Sequence, residues 1–281
     1  MLTLTRKVTF FAGHVYRGGG LSRAELDTLF GVAAEPSGHG HNYVLELSVR
    51  GPVDPIDGMV VNIKTVDQEL KTLLAAIDHR MLNDSMPEFA NNVPTTERLA
   101  QVLWSRVPET IGASRRVSMR LEEHPGMSVE ILGENPAMVY LTRSIEFSAS
   151  HRLHSEQLSD EENRRLYGKC NNPNGHGHNY VAEITVRGQP DSRTGIVIDL
   201  GQFEALLDDE IDRRFDHKHL NLDTDFFKTH PATAENIAIV IWNLIASKIP
   251  ACRTGGKVEL HRVRLIETAR SWFDYYGNNP H

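Results

Sequence analysis

The hexapeptide Gly-His-Gly-His-Asn-Tyr occurs twice in this chain, at residues 38–43 and at residues 175–180. The two copies begin 137 positions apart (175 − 38), and other identities keep that spacing or shift it by one. These identities pair Phe10 with Phe147, His14 with His151, Tyr43 with Tyr180, Thr95 with Thr233 and Trp104 with Trp242. Self-similarity at a fixed period is the signature of a repeat. We therefore predict a tandem duplication, with one domain at residues 1–137 and a second at residues 138–281.

Both halves show the same order of predicted elements: two strands, two helices and two more strands. Apolar and polar residues alternate along residues 41–51 and 179–188, which is typical of strands with one buried face. Apolar residues recur at helical spacing along residues 63–77, and Thr95 and Thr233 can each cap the second helix of their half. This order predicts the α+β class, with an antiparallel four-stranded sheet in each domain and two helices on one face.

The composition limits the classes of partner. The 281 residues carry a net charge of −7, which argues against a general nucleic-acid-binding surface. No run approaches the roughly 20 apolar residues of a membrane helix, and the first residues lack the apolar core of a signal peptide. Two cysteines, Cys170 and Cys252, cannot form a disulfide framework. We therefore expect a cytoplasmic protein with no membrane or nucleic-acid partner.

Three histidines in each half have the spacing of a metal site. His39 and His41 are two residues apart in a predicted strand, so their side chains point to the same side. His14 ends the preceding predicted strand, and an antiparallel pairing could bring all three imidazoles together. Three imidazoles suit Zn²⁺ and leave a fourth coordination position open, as in catalytic sites. The second half repeats this spacing with His151, His176 and His178.

A simpler interpretation is that these histidines are polar surface residues, which is the more common meaning of a single His-x-His pair. Duplication alone could also have copied them. The two halves have diverged heavily elsewhere, however, as residues 15–20 and 152–157 show. The persistence of three histidines in both halves favours the metal site.

The loop before the second hexapeptide contains Cys170, whereas the aligned position in the first half is Ala33 (170 − 137). A thiolate stabilised by a neighbouring cation and a histidine could act as a base at this position. The alternative is an inert buried cysteine, which is what most free cysteines are. The sequence therefore predicts chemistry in the second half that the first half lacks.

Several motifs of the second half closely resemble the family of 6-pyruvoyl-tetrahydropterin synthase and 6-carboxytetrahydropterin synthase. They are FSASHRL, YGKCNNPNGHGHNY, GIVIDL, FDHKHLNLD, TAENIA and IETA, and the resemblance covers nearly all of residues 142–277. The first half resembles a degenerate copy of the same domain. The resemblance implies two tunnelling-fold domains, in which subunit sheets join into a barrel. It also implies a homo-oligomer, in which a trimer of tandem chains would equal the family hexamer.

The resemblance implies a role for each matching residue. The zinc ligands would be His151, His176 and His178, with His14, His39 and His41 in the first half. The catalytic residues would be Cys170, Asp216 and His217, and the pterin would be bound by Glu267, Thr233 and Glu235. The matching first-half residues are Asp78, His79, Thr95, Glu97 and Glu123. The retained Asp78–His79 pair could complete the Cys170 site of the other half, or the first half could only fill positions in the barrel.

The implied activity is a zinc-dependent carbon–oxygen lyase acting on 7,8-dihydroneopterin triphosphate. The enzyme would eliminate triphosphate with internal hydrogen transfer, and the product would be 6-pyruvoyl-tetrahydropterin or 6-carboxytetrahydropterin. The six-residue gap from Cys170 to His176 resembles the pyruvoyl-forming enzymes. The alternatives are a non-catalytic pterin-binding or regulatory tandem, and a hydrolytic zinc enzyme that gives Cys170 and Glu267 no role.

Overall fold

The computed structural model describes residues 1–108, 111 and 116–277, and within them the chain forms two compact units. Unit 1 comprises Met1–Thr142, Arg187–Gly201 and Cys252–Val258. Unit 2 comprises Arg143–Val186, Gln202–Ala251 and the described residues from Glu259 onward. The predicted domain boundary between residues 137 and 138 stays a prediction. The last four residues of the second predicted domain, 278–281, lie outside the described residues.

Unit 1 is built on a sheet whose long strands are antiparallel. Its strands are β1 (Leu2–His14), β2 (His39–Gly51), β3 (Arg80–Met81), β4 (Arg116–His124) and β5 (Met127–Leu132). They lie in the order β5-β4-β2-β1-β3, and only the two-residue β3 runs parallel to its neighbour. β1 and β2 pair along their whole length, from Leu2 opposite Gly51 to His14 opposite His39.

The helices of unit 1 bury apolar side chains at helical spacing. They are α1 (Arg23–Phe30), α2 (Ile63–Leu74), α3 (Leu82–Ser85) and α4 (Thr96–Ser105). Val66, Leu70 and Leu74 form the buried face of α2. Thr95 caps α4 by accepting a hydrogen bond from the backbone N–H of Arg98, which confirms the predicted cap.

Unit 2 repeats this arrangement. Its strands are β6 (Val139–His151), β7 (His176–Gly188), β8 (Lys218–His219), β9 (Val258–Thr268) and β10 (Ser271–Tyr275), in the order β10-β9-β7-β6 with β8 parallel to β6. Its helices are α5 (Asp160–Tyr167), α6 (Leu200–Leu207), α7 (Arg213–Phe215), α8 (Leu220–Asp223) and α9 (Ala234–Ile245). Thr233 caps α9, again as predicted. Among the described residues, no helix is long and apolar enough to cross a membrane.

The α+β class is therefore as predicted, but the simple order of strands and helices omits several short elements. Helices α1 and α5 are eight residues each, and both begin with a capping box, Ser22 with Glu25 and Ser159 with Glu162. In a capping box the two side chains satisfy each other's backbone N–H groups at the start of the helix. A helix of two turns is too short for apolar residues to recur clearly at helical spacing. The capping residues are therefore the stronger indication of such a helix in the sequence.

The glycine that opens each hexapeptide has a backbone conformation that other residues rarely adopt. Gly38 and Gly175 have φ values of 71° and 72°. A Cβ on Gly175 would lie 2.8 Å from the backbone oxygen of His151, and a Cβ on Gly38 would lie 2.8 Å from that of His14. These glycines therefore let the loop turn sharply against the end of the neighbouring strand, so that the histidine strand starts at that point.

We predict that Gly175→Ala destabilises the protein more than Gly20→Ala. Gly20 has a similar φ of 65° but no heavy atom within 4 Å of an added Cβ, so it reports the backbone cost alone, about 1–2 kcal/mol. The clash at Gly175 should add about 1–3 kcal/mol. Urea unfolding of both variants measures the difference, and equal losses would contradict the steric role of Gly175.

Candidate active site

The three histidines of unit 2 come together where β6 ends and β7 begins. The Nε2 atoms of His151 and His176 are 3.1 Å apart. One ligand atom from each of His151, His176 and His178 lies within 4.8 Å of the other two. The ring centroids are 4.5 to 5.2 Å apart. Such a cluster could hold a metal ion.

The central imidazole is oriented by the backbone. The Nδ1 of His151 lies 2.7 Å from the carbonyl oxygen of Ala232, so a proton on Nδ1 can be donated to that oxygen and Nε2 faces the cluster. Burial lowers the pKa of His151 to about 4, while the Ala232 contact opposes this shift and His176 adds to it. His151 is therefore neutral at neutral pH, as a metal-ligating imidazole must be.

The donor set fits a divalent metal ion. The Nε2 of His178 and the Nδ1 of His176 are buried, and neither has a hydrogen-bond partner among the described residues. The carboxylate oxygen nearest to His178 Nε2 belongs to Glu267, at 3.7 Å. Buried polar atoms without partners are uncommon in proteins and often mark an ion or a ligand. Imidazole nitrogens are common ligands of metal ions in proteins, so the three histidines are a suitable donor set.

Unit 1 contains the same cluster. The Nε2 atoms of His14 and His39 are 3.0 Å apart, and His41 completes a group within 4.8 Å. Burial lowers the pKa of His14 to about 3. The Nε2 of His41 is buried without a hydrogen-bond partner among the described residues and lies 3.5 Å from Glu123. Unit 1 could therefore also hold a metal ion.

Asp216 and His217 form a hydrogen-bonded pair at the edge of β6. The two oxygens of Asp216 accept from the N–H of Ser148 at 2.8 Å and from His217 Nδ1 at 2.6 Å. These hydrogen bonds, that of Ser148 first, lower the pKa of Asp216. The His217 side chain is 82% exposed, and with His178 it lines a cleft of about 480 Å³. His217 has a φ of 53°, which is unusual for a residue other than glycine.

Unit 1 contains the corresponding pair. Asp78 accepts from the N–H of Phe11 at 2.9 Å and lies 3.1 Å from His79 Nδ1. His79 has a φ of 58°. With His41, it lines a cleft of about 360 Å³.

Cys170 lies in the 3-10 turn Gly168–Asn171, directly before β7, and is half-buried. The turn is held to the end of β6, because the Cys170 oxygen accepts from the N–H of Leu153 at 2.9 Å. Burial raises the pKa of Tyr180, and the charges of Glu267 and Cys170 add to this shift. The Tyr180 hydroxyl lies 3.4 Å from His151. Tyr180 thus touches the histidine cluster.

Sequence reasoning assigned no role to Tyr180. The sequence did contain a signal for this residue, because tyrosine is the last residue of the hexapeptide in both repeats. In unit 1, the hydroxyl of the matching Tyr43 lies 3.4 Å from Nδ1 of His14.

The predicted pterin-binding residues of α9 lie at an open helix start. Thr233 is half-buried and Glu235 is exposed. Their link to the cluster is Ala232, which precedes the helix and contacts His151. The structure therefore groups the triad with Glu267 and Tyr180, and it leaves Glu235 facing solvent.

The matching helix start in unit 1 is covered. Thr95 and Glu97 are each 1% exposed. The Thr95 hydroxyl donates to the oxygen of Gly195 at 2.7 Å, and a Glu97 oxygen accepts from the N–H of Val197 at 3.0 Å. Burial raises the pKa of Glu97 to about 7. Beside it, Glu123 accepts a hydrogen bond from the hydroxyl of Thr96.

A sequence profile described as 6-pyruvoyl tetrahydropterin synthase matches residues 3–134 and again residues 140–278. The chain therefore belongs to the 6-pyruvoyl tetrahydropterin synthase family and contains two copies of its domain. Family membership, predicted from the motifs, is confirmed. The matched relatives are lyases, and they support an enzyme of the same type.

Single-domain relatives match about half of this chain. The 6-pyruvoyl tetrahydrobiopterin synthase of Drosophila melanogaster is 44% identical over 144 residues, which cover 51% of this chain and 82% of the relative. The 6-carboxy-5,6,7,8-tetrahydropterin synthase of Rickettsia bellii is 32% identical over 147 residues, with coverages of 47% and 95%. The structure of Caenorhabditis elegans 6-pyruvoyl tetrahydropterin synthase is 41% identical, has a TM-score of 0.46, and covers 50% of this chain and 96% of its own.

We predict that Glu97→Gln changes the pH dependence of stability. The folded-state pKa of about 7 lies above the ordinary glutamate pKa of 4.5, so the folded state binds the proton more tightly. This stabilisation is complete below pH 4.5 and is lost as the pH rises to about 7. Relative to wild type, Glu97→Gln should therefore gain up to about 3 kcal/mol in unfolding free energy between pH 4 and pH 8.

Glutamine keeps the oxygen that accepts from Val197, so the comparison isolates the charge. Urea unfolding at pH 4 and pH 8 measures the effect, with the exposed Glu161→Gln as the control that should show no such gain. A Glu97→Gln variant that tracks wild type at both pH values would show that Glu97 does not titrate as described.

Proposed function

We propose that the second repeat is a zinc-dependent pterin synthase that acts on 7,8-dihydroneopterin triphosphate and eliminates triphosphate with internal hydrogen transfer. The observation that supports this most directly is the cluster of three imidazoles, with a buried unpartnered nitrogen 3.7 Å from Glu267. The product we favour is 6-pyruvoyl-tetrahydropterin. The relatives named for the pyruvoyl product are up to 44% identical, against 32% for those named for the carboxy product.

Each residue of unit 2 has a chemical task in this proposal. When bound by the triad, zinc supplies a Lewis acid that stabilises negative charge on the substrate side chain. Cys170, as thiolate, takes the proton from a hydroxyl-bearing side-chain carbon. Asp216 holds a proton on His217 Nδ1, which leaves Nε2 free to exchange a proton with the thiol. The Glu267 carboxylate can accept two N–H bonds from the pterin ring.

A cationic cleft in unit 2 is our candidate for the triphosphate. It has a volume of about 690 Å³, and its lining includes Arg152, Lys228 and His230 together with one carboxylate, Glu156. Arg152 follows the ligand His151 and donates to the backbone oxygen of Asn171 at 3.3 Å. The cleft is thus connected to the turn that carries Cys170.

The first repeat has a different role in this proposal. Ala33 replaces the thiol, and Glu97 is already occupied by the Val197 N–H, so we assign no turnover to it. We propose that it binds zinc and contributes to a cytoplasmic homo-oligomer, a trimer of tandem chains.

Replacing the proposed base should remove turnover but leave the fold intact. We expect Cys170→Ala to lower the rate of triphosphate release by about 100-fold or more, since general bases contribute about 10²–10⁴-fold. Triphosphate release and product mass are measured with dihydroneopterin triphosphate. Cys252→Ala, at the other thiol, should retain the wild-type rate. A wild-type protein that binds the pterin but releases no triphosphate would support the non-catalytic alternative instead.

Zinc counting tests the two clusters separately. We expect two zinc ions per wild-type chain, one for each histidine cluster. His151→Ala and His14→Ala should each retain one ion, and the double variant none. His230→Ala, outside both clusters, is the control and should retain two. One ion in wild type, unchanged by His14→Ala, would restrict the metal site to unit 2.

A further inference from the structure

The two repeats hold the residue after the first histidine of the cluster in the same way. In unit 1, the Asn83 side chain accepts from the N–H of Val15 at 2.8 Å and donates to the carbonyl oxygen of the same residue at 3.1 Å. In unit 2, the Asn221 side chain makes the same two hydrogen bonds to Arg152, at 2.8 and 3.1 Å. The next residue along the chain therefore starts from an equivalent position beside each cluster.

That next residue is Tyr16 in unit 1, and its side chain is packed against the cluster. Tyr16 is only 7% exposed, and its ring centroid lies 4.7 Å from that of His14 and 4.9 Å from that of Phe30. Its hydroxyl is hydrogen-bonded to Thr96, whose own hydroxyl donates to Glu123. Tyr16 thus connects an imidazole of the cluster to the carboxylate beside the cluster.

Unit 2 has neither part of this contact. Leu153 stands at the position of Tyr16 and is half-buried, and Ala234 stands at the position of Thr96. Because neither side chain has a hydroxyl, they cannot form the equivalent chain of hydrogen bonds to Glu267. The carboxylate of unit 2 is therefore not occupied in this way.

The segment that follows Tyr16 is also packed differently in the two units. In unit 1, the N–H of Gly19 donates to the carbonyl oxygen of Asn91 at 2.7 Å, and a Cβ on Gly18 would lie 2.7 Å from the backbone of Asn92. The glycines let this segment close against the loop before α4. The aligned residues of unit 2 carry side chains and line the open cleft of about 690 Å³: Ser155, Glu156, Thr229 and His230.

We propose that Tyr16 is an internal ligand of the first repeat, whose phenol ring takes the place that the pyrimidinone ring of a pterin takes in the second repeat. The comparison with the second repeat rests on the proposed function. Both rings are planar and six-membered, and both direct a hydrogen-bond donor towards the carboxylate, the tyrosine through Thr96 and the pterin through its own N–H groups. The first repeat is then a metal site closed to pterins, and the chain binds one pterin rather than two.

Removal of the tyrosine ring should open a site of defined chemistry. The cavity would be bordered by the rings of His14 and Phe30, and at its polar end the Thr96 oxygen would lose its donor. A cavity left by a buried side chain can bind a small molecule of matching shape. A six-membered ring with N–H donors should therefore bind better than an apolar ring, because an apolar ring leaves the polar end unpaired.

Equilibrium dialysis with radiolabelled 2-aminopyrimidin-4-one counts the sites on the zinc-loaded full-length protein. This probe is the donor-bearing ring of a pterin and has the six-membered ring size of tyrosine. Tyr16→Ala should bind one more probe molecule per chain than wild type. The matched control is Tyr16→Phe, which retains the ring and removes only the hydroxyl, and it should bind the same number as wild type.

Two further variants make the test independent of a folding failure in Tyr16→Ala. Tyr16→Leu combined with Thr96→Ala introduces the pair that unit 2 already accommodates, Leu153 and Ala234, and should gain the same site. Glu123→Gln, added to either variant, should weaken the new site at least about tenfold, because a hydrogen bond to a charged group is lost. Retention of two zinc ions per chain shows that each variant is folded.

Three results would overturn the proposal. They are no added site in either opened variant, an equal gain in Tyr16→Phe, and an added site that binds toluene as well as the probe and ignores Glu123→Gln. Triphosphate release by wild type is assayed separately. An added site in a protein without lyase activity would contradict only the enzymatic assignment, whereas an active enzyme without an added site would contradict only the internal ligand.

Discussion

Both histidine clusters depend on the pairing of strand ends. In unit 1, β1 and β2 pair in one continuous register that places His14 opposite His39, and His41 follows two residues later on the same face. A slip of one residue would turn these imidazoles to the other face of the sheet. Gly40 permits this close approach, since a Cβ there would lie 3.1 Å from the oxygen of Ala12. The site is therefore preorganised by backbone hydrogen bonds before any metal binds.

The sequence alone was sufficient to predict those parts of the structure that depend on local residue patterns. Alternating residues identified the long strands, and Thr95 and Thr233 identified two helix starts, because a cap acts on its own helix. The histidine clusters also follow from a local rule, a pair two residues apart facing a strand end. The cover over Thr95 and Glu97 could not be predicted in this way. Its donors and acceptors come from residues 100 positions further along the chain, and nothing at the helix start specifies whether it is covered or open.

The two repeats share the geometry of the histidine cluster but differ in the residues around it. Each cluster has a buried, unpartnered imidazole nitrogen near a carboxylate, Glu123 in unit 1 and Glu267 in unit 2. In unit 1, however, the Thr96 hydroxyl already occupies Glu123, whereas the aligned residue of unit 2 is Ala234. A carboxylate that is satisfied inside the protein has less to offer a ligand. In unit 1, the loss of the thiol at Ala33 is thus accompanied by internal pairing of Glu97 and Glu123.

The aspartate–histidine pair in unit 1 has a structural explanation that does not need catalysis. In both units, the pair makes two hydrogen bonds to one strand residue, Phe11 in unit 1 and Ser148 in unit 2. The aspartate carboxylate accepts from the N–H of that residue, and the backbone N–H of the histidine donates to its carbonyl oxygen. This is the hydrogen-bonding pattern of an extra strand position, and it directly precedes β3 and β8, which pair with the same strands. A positive φ outside glycine costs about 1–3 kcal/mol, so the surrounding hydrogen bonds must offset it. The pair therefore completes the strand edge in both repeats, and a unit without the thiol would still retain it.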